Sequence, residues 1–214
     1  MANVLYGLKS THTITLDNII QHTISVKKGI KKSLLVVDMP KGSYKNRELA
    51  KKNAKTIMRL TGCDAVKIES NKKNYNIVEE LVKSNIPVMG HIGYTPQFKS
   101  IFKIEGNTHT KAKVLINDAL NIEKAGAFSI VLECISGQTS KIITKNLKIP
   151  TIGIGSSKFC DGQILVTDDM LGLSGFYPKF VKKYINLKKI ISRTVGKFSK
   201  EVRNKKFPSN KNSF

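Results

Sequence analysis

Short apolar, β-branched runs alternate along the chain with longer segments of helical period. That rhythm predicts βα units built on a parallel sheet, an α/β fold. The runs Leu34–Asp38, Ala65–Glu69, Pro87–His91 and Phe128–Glu133 read as strands, with Thr151–Gly155 and Ile164–Asp168 expected to follow. Such near-continuous apolar runs suit strands buried on both faces. Between them, Asn46–Thr61 sets Leu49, Ala50, Ala54, Ile57 and Met58 at i, i+3 and i+4 spacings before a stop at Gly62. Asn76–Ser84 and Thr110–Ala125 read as two further helices, and Pro178 to about Phe198 as one or two basic ones. Nothing resembling a linker or repeat interrupts the chain, so residues 1–214 are expected to form a single domain. Six strands fall short of the eight of a closed barrel. The shortfall lies at the N-terminus, where Met1–Gly7 hardly supplies two more.

Composition narrows the classes. With 214 residues, 40% of them hydrophobic, one sizeable core can be buried. The 37 Lys+Arg against 15 Asp+Glu give a formal net charge of +22, which raises the question of nucleic acid. The lysines are spread over the polar positions of helices, and only Lys179 to Lys211 is dense. No basic patch is interleaved with aromatics, so a lysine-biased solvated surface is the better reading. Cys63, Cys134 and Cys160 are odd in number and lack a C-x-x-C pair, which argues against a disulfide framework or a zinc site. No stretch reaches the roughly 18–20 apolar residues of a membrane span. A cytoplasmic protein is expected.

Four polar residues, Asp38, Glu69, His91 and Glu133, end four successive apolar strands. In a parallel sheet or barrel the C-terminal strand ends share one face, where active sites form. A single carboxylate there is more often a helix cap or a loop hydrogen-bonder. Four such residues in a row, in a chain short of acid, point to a site. Asp38 and Glu69 are oxygen donors suited to a hard cation such as Mg²⁺. Lys67 falls on the same side of its strand as Glu69, because side chains repeat with period two. Weaker candidates are the Gly153–Gly155 turn, as an anion cradle, and His12, His22 and His109, of which His22 and His109 read as surface residues without partners. A Cys134–His91 pair is disfavoured because Cys134 alternates away from Glu133.

The segments ITLDNIIQHT (Ile14–Thr23), VVDMPKGSY (Val36–Tyr44), AVKIE (Ala65–Glu69) and IPVMGHIGYTPQ (Ile86–Gln97) resemble the ketopantoate hydroxymethyltransferase family. AGAFSIVLEC (Ala125–Cys134), IPTIGIG (Ile149–Gly155), CDGQILVTDDMLGL (Cys160–Leu173) and FPSNKNSF (Phe207–Phe214) continue the family's order to the end of the chain. The resemblance implies a (β/α)₈ TIM barrel of the phosphoenolpyruvate/pyruvate type, with its first two strands missing from this chain. It implies transfer of a hydroxymethyl group from 5,10-methylenetetrahydrofolate to 3-methyl-2-oxobutanoate, giving 2-dehydropantoate for pantothenate and coenzyme A synthesis. Position by position, Asp38 and Glu69 match Mg²⁺ ligands, Asp38 and Lys67 match substrate contacts, Glu133 matches the proton acceptor, and His91 matches a pocket histidine touching the product. A large homo-oligomer, a decamer, is also implied. The family carries an earlier Gly-Asp-Ser segment with a third metal-binding carboxylate, and MANVLYGLKST aligns just after it. The true start is therefore expected upstream.

Three other readings stand beside this one. The chain could be an inactive or impaired fragment of that enzyme. It could be a different metal-dependent C–C lyase on the same barrel, against which GHIGYTPQ argues. It could also be a basic nucleic-acid-binding protein without catalysis.

Overall fold

The computed structural model describes residues 5–8, 11–71, 74–99, 101–175 and 177–213. Parts of two expectations, the opening Met1–Gly7 segment and the closing Phe214, lie outside them. The chain divides into two compact units, Met1–Ile164 and Leu165–Phe214.

Among the described residues the first unit holds six strands: β1 (Val36–Asp38), β2 (Ala65–Glu69), β3 (Val88–Gly93), β4 (Ser129–Glu133), β5 (Thr151–Ile154) and β6 (Gly162–Gln163). They pair in sequence order and every pairing is parallel. This is the strand order of an α/β barrel arc. Helices α1 (Leu16–Gly29), α2 (Arg47–Thr61), α3 (Tyr75–Lys83), α4 (His109–Lys124) and α5 (Gly137–Asn146) intervene. The limits of α2 follow from local chemistry. The Asn46 side chain accepts the Leu49 N–H at 2.8 Å, and Gly62 closes the helix in the left-handed region at φ 63°.

Register shows how the sheet divides its residues. Val37, Val66, Ile68, Val88, Ile92, Ile130 and Leu132 share one face and belong to a single buried core with Ala54, Ile57, Leu81, Ile122 and Ile143 of the helices. At Gly90 on that face an added Cβ would sit 2.5 Å from Ile122 Cγ2, so α4 packs directly on bare backbone. The alternate positions, Lys67, Glu69, His91, Ser129 and Glu133, occupy the other face and are largely buried as well. The strands are thus buried on both sides, as their apolar runs imply, but one side is hydrocarbon while the other mixes Met89 and Val131 with polar groups.

Two expectations need correction. The strand expected at Ile164–Asp168 does not form. Pairing with β5 uses Gly162 and Gln163 instead, because the Asp161 carboxylate accepts both the N–H and the hydroxyl of Thr151 at 2.8 Å and fixes an earlier register. Downstream, Thr167–Leu171 is helix α6, with Asp168 and Asp169 in its first turn where the helix dipole favours them. The basic helix expected from Pro178 begins only at Leu187. Helix α7 (Leu187–Arg203) starts where the Asn186 side chain accepts the Lys189 N–H. Periodicity had also passed over α1 and α5. Each is begun by a side-chain cap, at Thr15 and Ser136 respectively.

Candidate active site

The five residues singled out from sequence converge on the polar face of the sheet, at the C-terminal ends of β1 to β4. Asp38 lies in register with Lys67, and Glu69 in register with His91. Glu133 lies in register with Gly93, two residues beyond His91. Lys67 Nζ is 2.9 Å from Asp38 Oδ1 and 3.4 Å from His91 Nδ1, with only 16% of the lysine side chain exposed. An ammonium only donates, so Nδ1 is the accepting nitrogen and the proton of the neutral ring sits on Nε2. Burial, and then the charge of Lys67, push the His91 pKa down to about 3, keeping the imidazole neutral. Its Nε2 lies 3.1 Å from Glu133 Oε2, but the approach is off the line a hydrogen bond requires, leaving Nε2 unbonded. The pair is therefore a close polar contact, not an ion pair.

The two glutamates are electrostatically unusual. Glu69 is 1% exposed, and its carboxylate accepts the backbone N–H of Gln97 at 3.0 and 3.3 Å. Burial, and next the nearby charge of Asp38, raise its pKa to about 8. Burial raises Glu133 to about 7, against the opposing pull of Lys67. A buried acid poised near neutrality is what proton abstraction demands.

Sequence reading missed the support of these groups. Gln97 is buried. Its side chain accepts from the Tyr44 hydroxyl at 2.7 Å and donates to the Met39 carbonyl at 2.9 Å, so the loop after β3 is fastened to the loop after β1. Gly93 adopts φ 99°, and an added Cβ there would lie 2.1 Å from the Glu133 carbonyl oxygen, which accepts the Tyr94 N–H at 2.8 Å. Gln97 is a loop residue whose partners are 28 to 58 positions away. Only its place in the TPQ segment marked it.

Among the weaker candidates, the Cys134 thiol is pushed up to about 12 by burial and by Glu133, which leaves no thiolate for nucleophilic work. His22 has a partner after all, the Tyr6 hydroxyl at 2.7 Å from Nε2. His12 Nε2 lies 3.2 Å from the Pro96 carbonyl, and His109 opens α4 on the surface. In the Gly153–Gly155 turn, the Ser156 hydroxyl donates to the Leu132 carbonyl at 2.6 Å and accepts the Ile135 N–H at 3.1 Å, tying β5 to β4.

A cavity of about 450 Å³ opens beside Asp38, with Val36, Met39, Lys41 and Gln97 among its walls. A larger cavity of about 740 Å³ touches none of the five residues. The titratable cluster, not volume, locates the chemistry.

The family model described as ketopantoate hydroxymethyltransferase matches residues 1–210. The chain is 48% identical over its whole length to 3-methyl-2-oxobutanoate hydroxymethyltransferase of Pelagibacter ubique, spanning 83% of that protein. It is 43% identical to the protein so named in Pseudothermotoga lettingae, covering all of this chain and 83% of the relative. The chain belongs to the ketopantoate hydroxymethyltransferase family. This is a family of enzymes. The fold also matches 2,3-dimethylmalate lyase, a PEP mutase/isocitrate lyase superfamily member, with a TM-score of 0.55 over 94% of this chain and 70% of the other. At 12% identity that likeness concerns architecture alone. The α/β barrel class expected from sequence is the class found.

A hydroxymethyltransferase of this family invites the question of whether the residues present suit a metal. Glu69 is a buried carboxylate with no ion-pair partner among the described residues, and its proton affinity is raised further by Asp38. Two hard oxygen donors on adjacent strands, repelling one another, suit a divalent cation. Among the described residues no three His, Cys, Asp or Glu side chains form a complete metal cluster. Mg²⁺ needs no such cage, because it is commonly held by one or two carboxylates with water and substrate oxygens. The residues fit.

Proposed function

We propose that the protein transfers a hydroxymethyl group from 5,10-methylenetetrahydrofolate to 3-methyl-2-oxobutanoate, giving 2-dehydropantoate on the route to pantothenate and coenzyme A. The observation that carries this is the convergence of Asp38, Glu69 and Glu133 around Lys67 on one face of the sheet. The names of the relatives support the same reading. Asp38 and Glu69 would hold Mg²⁺, which would supply Lewis acidity for enolate formation. Lys67 neutralises the substrate carboxylate. Glu133, with a pKa of about 7, takes the proton from C3, a carbon acid too weak for an ordinary carboxylate. His91, neutral and with an unbonded Nε2–H beside Glu133, would offer that proton to the product. The enolate carbon bonds to the folate-borne methylene carbon, and the carbon–nitrogen bonds to the folate break. One water supplies the hydroxyl oxygen. The C3 proton and one water proton end on the folate nitrogens, and tetrahydrofolate leaves.

The protein is proposed to act in the cytoplasm, in keeping with three buried free cysteines, and as a homo-oligomer of the decameric kind. The test is to incubate the full chain with 3-methyl-2-oxobutanoate and Mg²⁺ in D₂O and follow the C3 proton by NMR, with and without methylenetetrahydrofolate. Exchange without the folate and 2-dehydropantoate with it are expected. Cleavage of a carbon–carbon bond in the ketoacid without folate would favour a lyase and sink the proposal.

A further inference from the structure

Gln97 links the ends of β1 and β2, the two strands whose carboxylates are proposed to hold the cation. Its backbone N–H reaches both oxygens of Glu69, at 3.0 and 3.3 Å, while its side-chain Nε2 donates to the Met39 carbonyl at 2.9 Å. Met39 directly follows Asp38, and its own N–H is held by the Lys67 carbonyl at 2.9 Å. One residue thus holds the Glu69 carboxylate with its main chain and the segment bearing Asp38 with its side chain.

An amide suits this place. A carbonyl only accepts, so the NH₂ group must face Met39, and Oε1 is left to accept the Tyr44 hydroxyl at 2.7 Å. Gln97, Tyr44, Met39 and Glu69 are all buried, so water does not compete for these bonds. A glutamate of the same length could not donate to Met39, and its charge would add to those of Asp38 and Glu69. The turn that carries Gln97 is itself fixed. The Phe98 and Lys99 N–H groups return to the Thr95 carbonyl at 2.9 and 2.8 Å, and Lys99 Nζ donates to the Gly93 carbonyl at 2.7 Å. Two like-charged carboxylates on adjacent strands repel one another and, unsupported, would part before a cation arrives. We infer that Gln97 is a positioning residue that sets the separation of Asp38 and Glu69 for the divalent cation, with Tyr44 locking its amide. The inference rests on the metal-assisted transferase reading above.

The test titrates the full chain with Mn²⁺, a stand-in for Mg²⁺, and reads binding by water-proton relaxation with no substrate present. Gln97→Met keeps the length of the side chain but removes both of its hydrogen bonds. It should weaken Mn²⁺ binding about tenfold, a loss usual for an outer partner of a metal ligand. Tyr44→Phe should weaken binding by less, since the amide keeps its bond to Met39. A cycle through Glu69→Ala separates positioning from general loosening. With one carboxylate gone there is no separation left to set, so Gln97→Met should add no further loss there. Equal Mn²⁺ affinity in Gln97→Met and the unsubstituted chain, or the same further loss in the Glu69→Ala background, would overturn the assignment and leave the metal reading standing. If Gln97→Met does not fold, Tyr44→Phe decides alone, and unchanged affinity there overturns the assignment. An unsubstituted chain that binds no Mn²⁺ would instead strike the metal reading, and this inference with it.

Discussion

On β4, Ile130 and Leu132 enter the helix-side core, while Ser129 and Glu133 lie on the opposite face with Lys67, Glu69 and His91. Both faces exclude water, yet they differ in what burial does to them. Hydrocarbon on the helix side gains about 1.5–3 kcal/mol for each fully buried large side chain. On the other side, burial raises Glu69 and Glu133 and lowers His91, so each charged form is held at a cost to the fold. The period-two geometry of a strand lets neighbouring residues serve these opposite ends without interfering. One face makes the fold, and the other spends part of that stability on reactive groups.

Substitutions that treat the faces separately sharpen this contrast. The largest effect is expected from Glu133→Gln, which should slow turnover about 10²–10⁴-fold, as loss of a general base does, with a denaturation midpoint that does not fall and that rises above pH 7. Comparable losses of stability and turnover together would break the division. Leu132→Ala, one residue away on the other face, should destabilise the chain by about 2–5 kcal/mol in urea titration while the folded fraction keeps its turnover per site. Next in size is the pH dependence of proton abstraction. Glu133 must be ionised to act, so the deuterium-exchange rate should rise about tenfold per pH unit below about 7 and level off above it. A profile flat from pH 5 to 8 would remove Glu133 from the role.

The smallest effect concerns folding without metal. The Glu69 pKa is raised from 4.5 to about 8, so the folded chain keeps a proton that the unfolded chain has already released. That contribution to stability is complete below the unfolded value and is lost as pH climbs through about 8. In a chelator, the unsubstituted chain should therefore be less stable at pH 8.5 than at pH 5. Glu69→Gln should reduce that slope while abolishing turnover. Equal slopes for the two proteins would show that Glu69 titrates normally.

The contrast also explains what could be read in the sequence. Strands β2 to β4 were legible because their helix-facing residues, Gly90 apart, are β-branched or leucine, and the site was legible because acids are conspicuous inside such runs. The two-residue β6 was not, since its register depends on Asp161 reaching Thr151 across ten positions. Helix α5 (GQTSKIITKN) is mostly polar and is begun by a cap at Ser136, so its apolar period is weak. Gln97 carries no charge and sits in a loop. Its importance arises only when folding brings Tyr44, Met39 and Glu69 around it.

The close approach at Gly93 has a consequence for any attempt to diversify this chain. A library randomised at that codon should return a single amino acid among the functional clones, since even one methyl group would collide with the carbonyl of the residue that bears the base. Selection there acts on backbone clearance, and a gap the width of a hydrogen atom fixes where Glu133 begins.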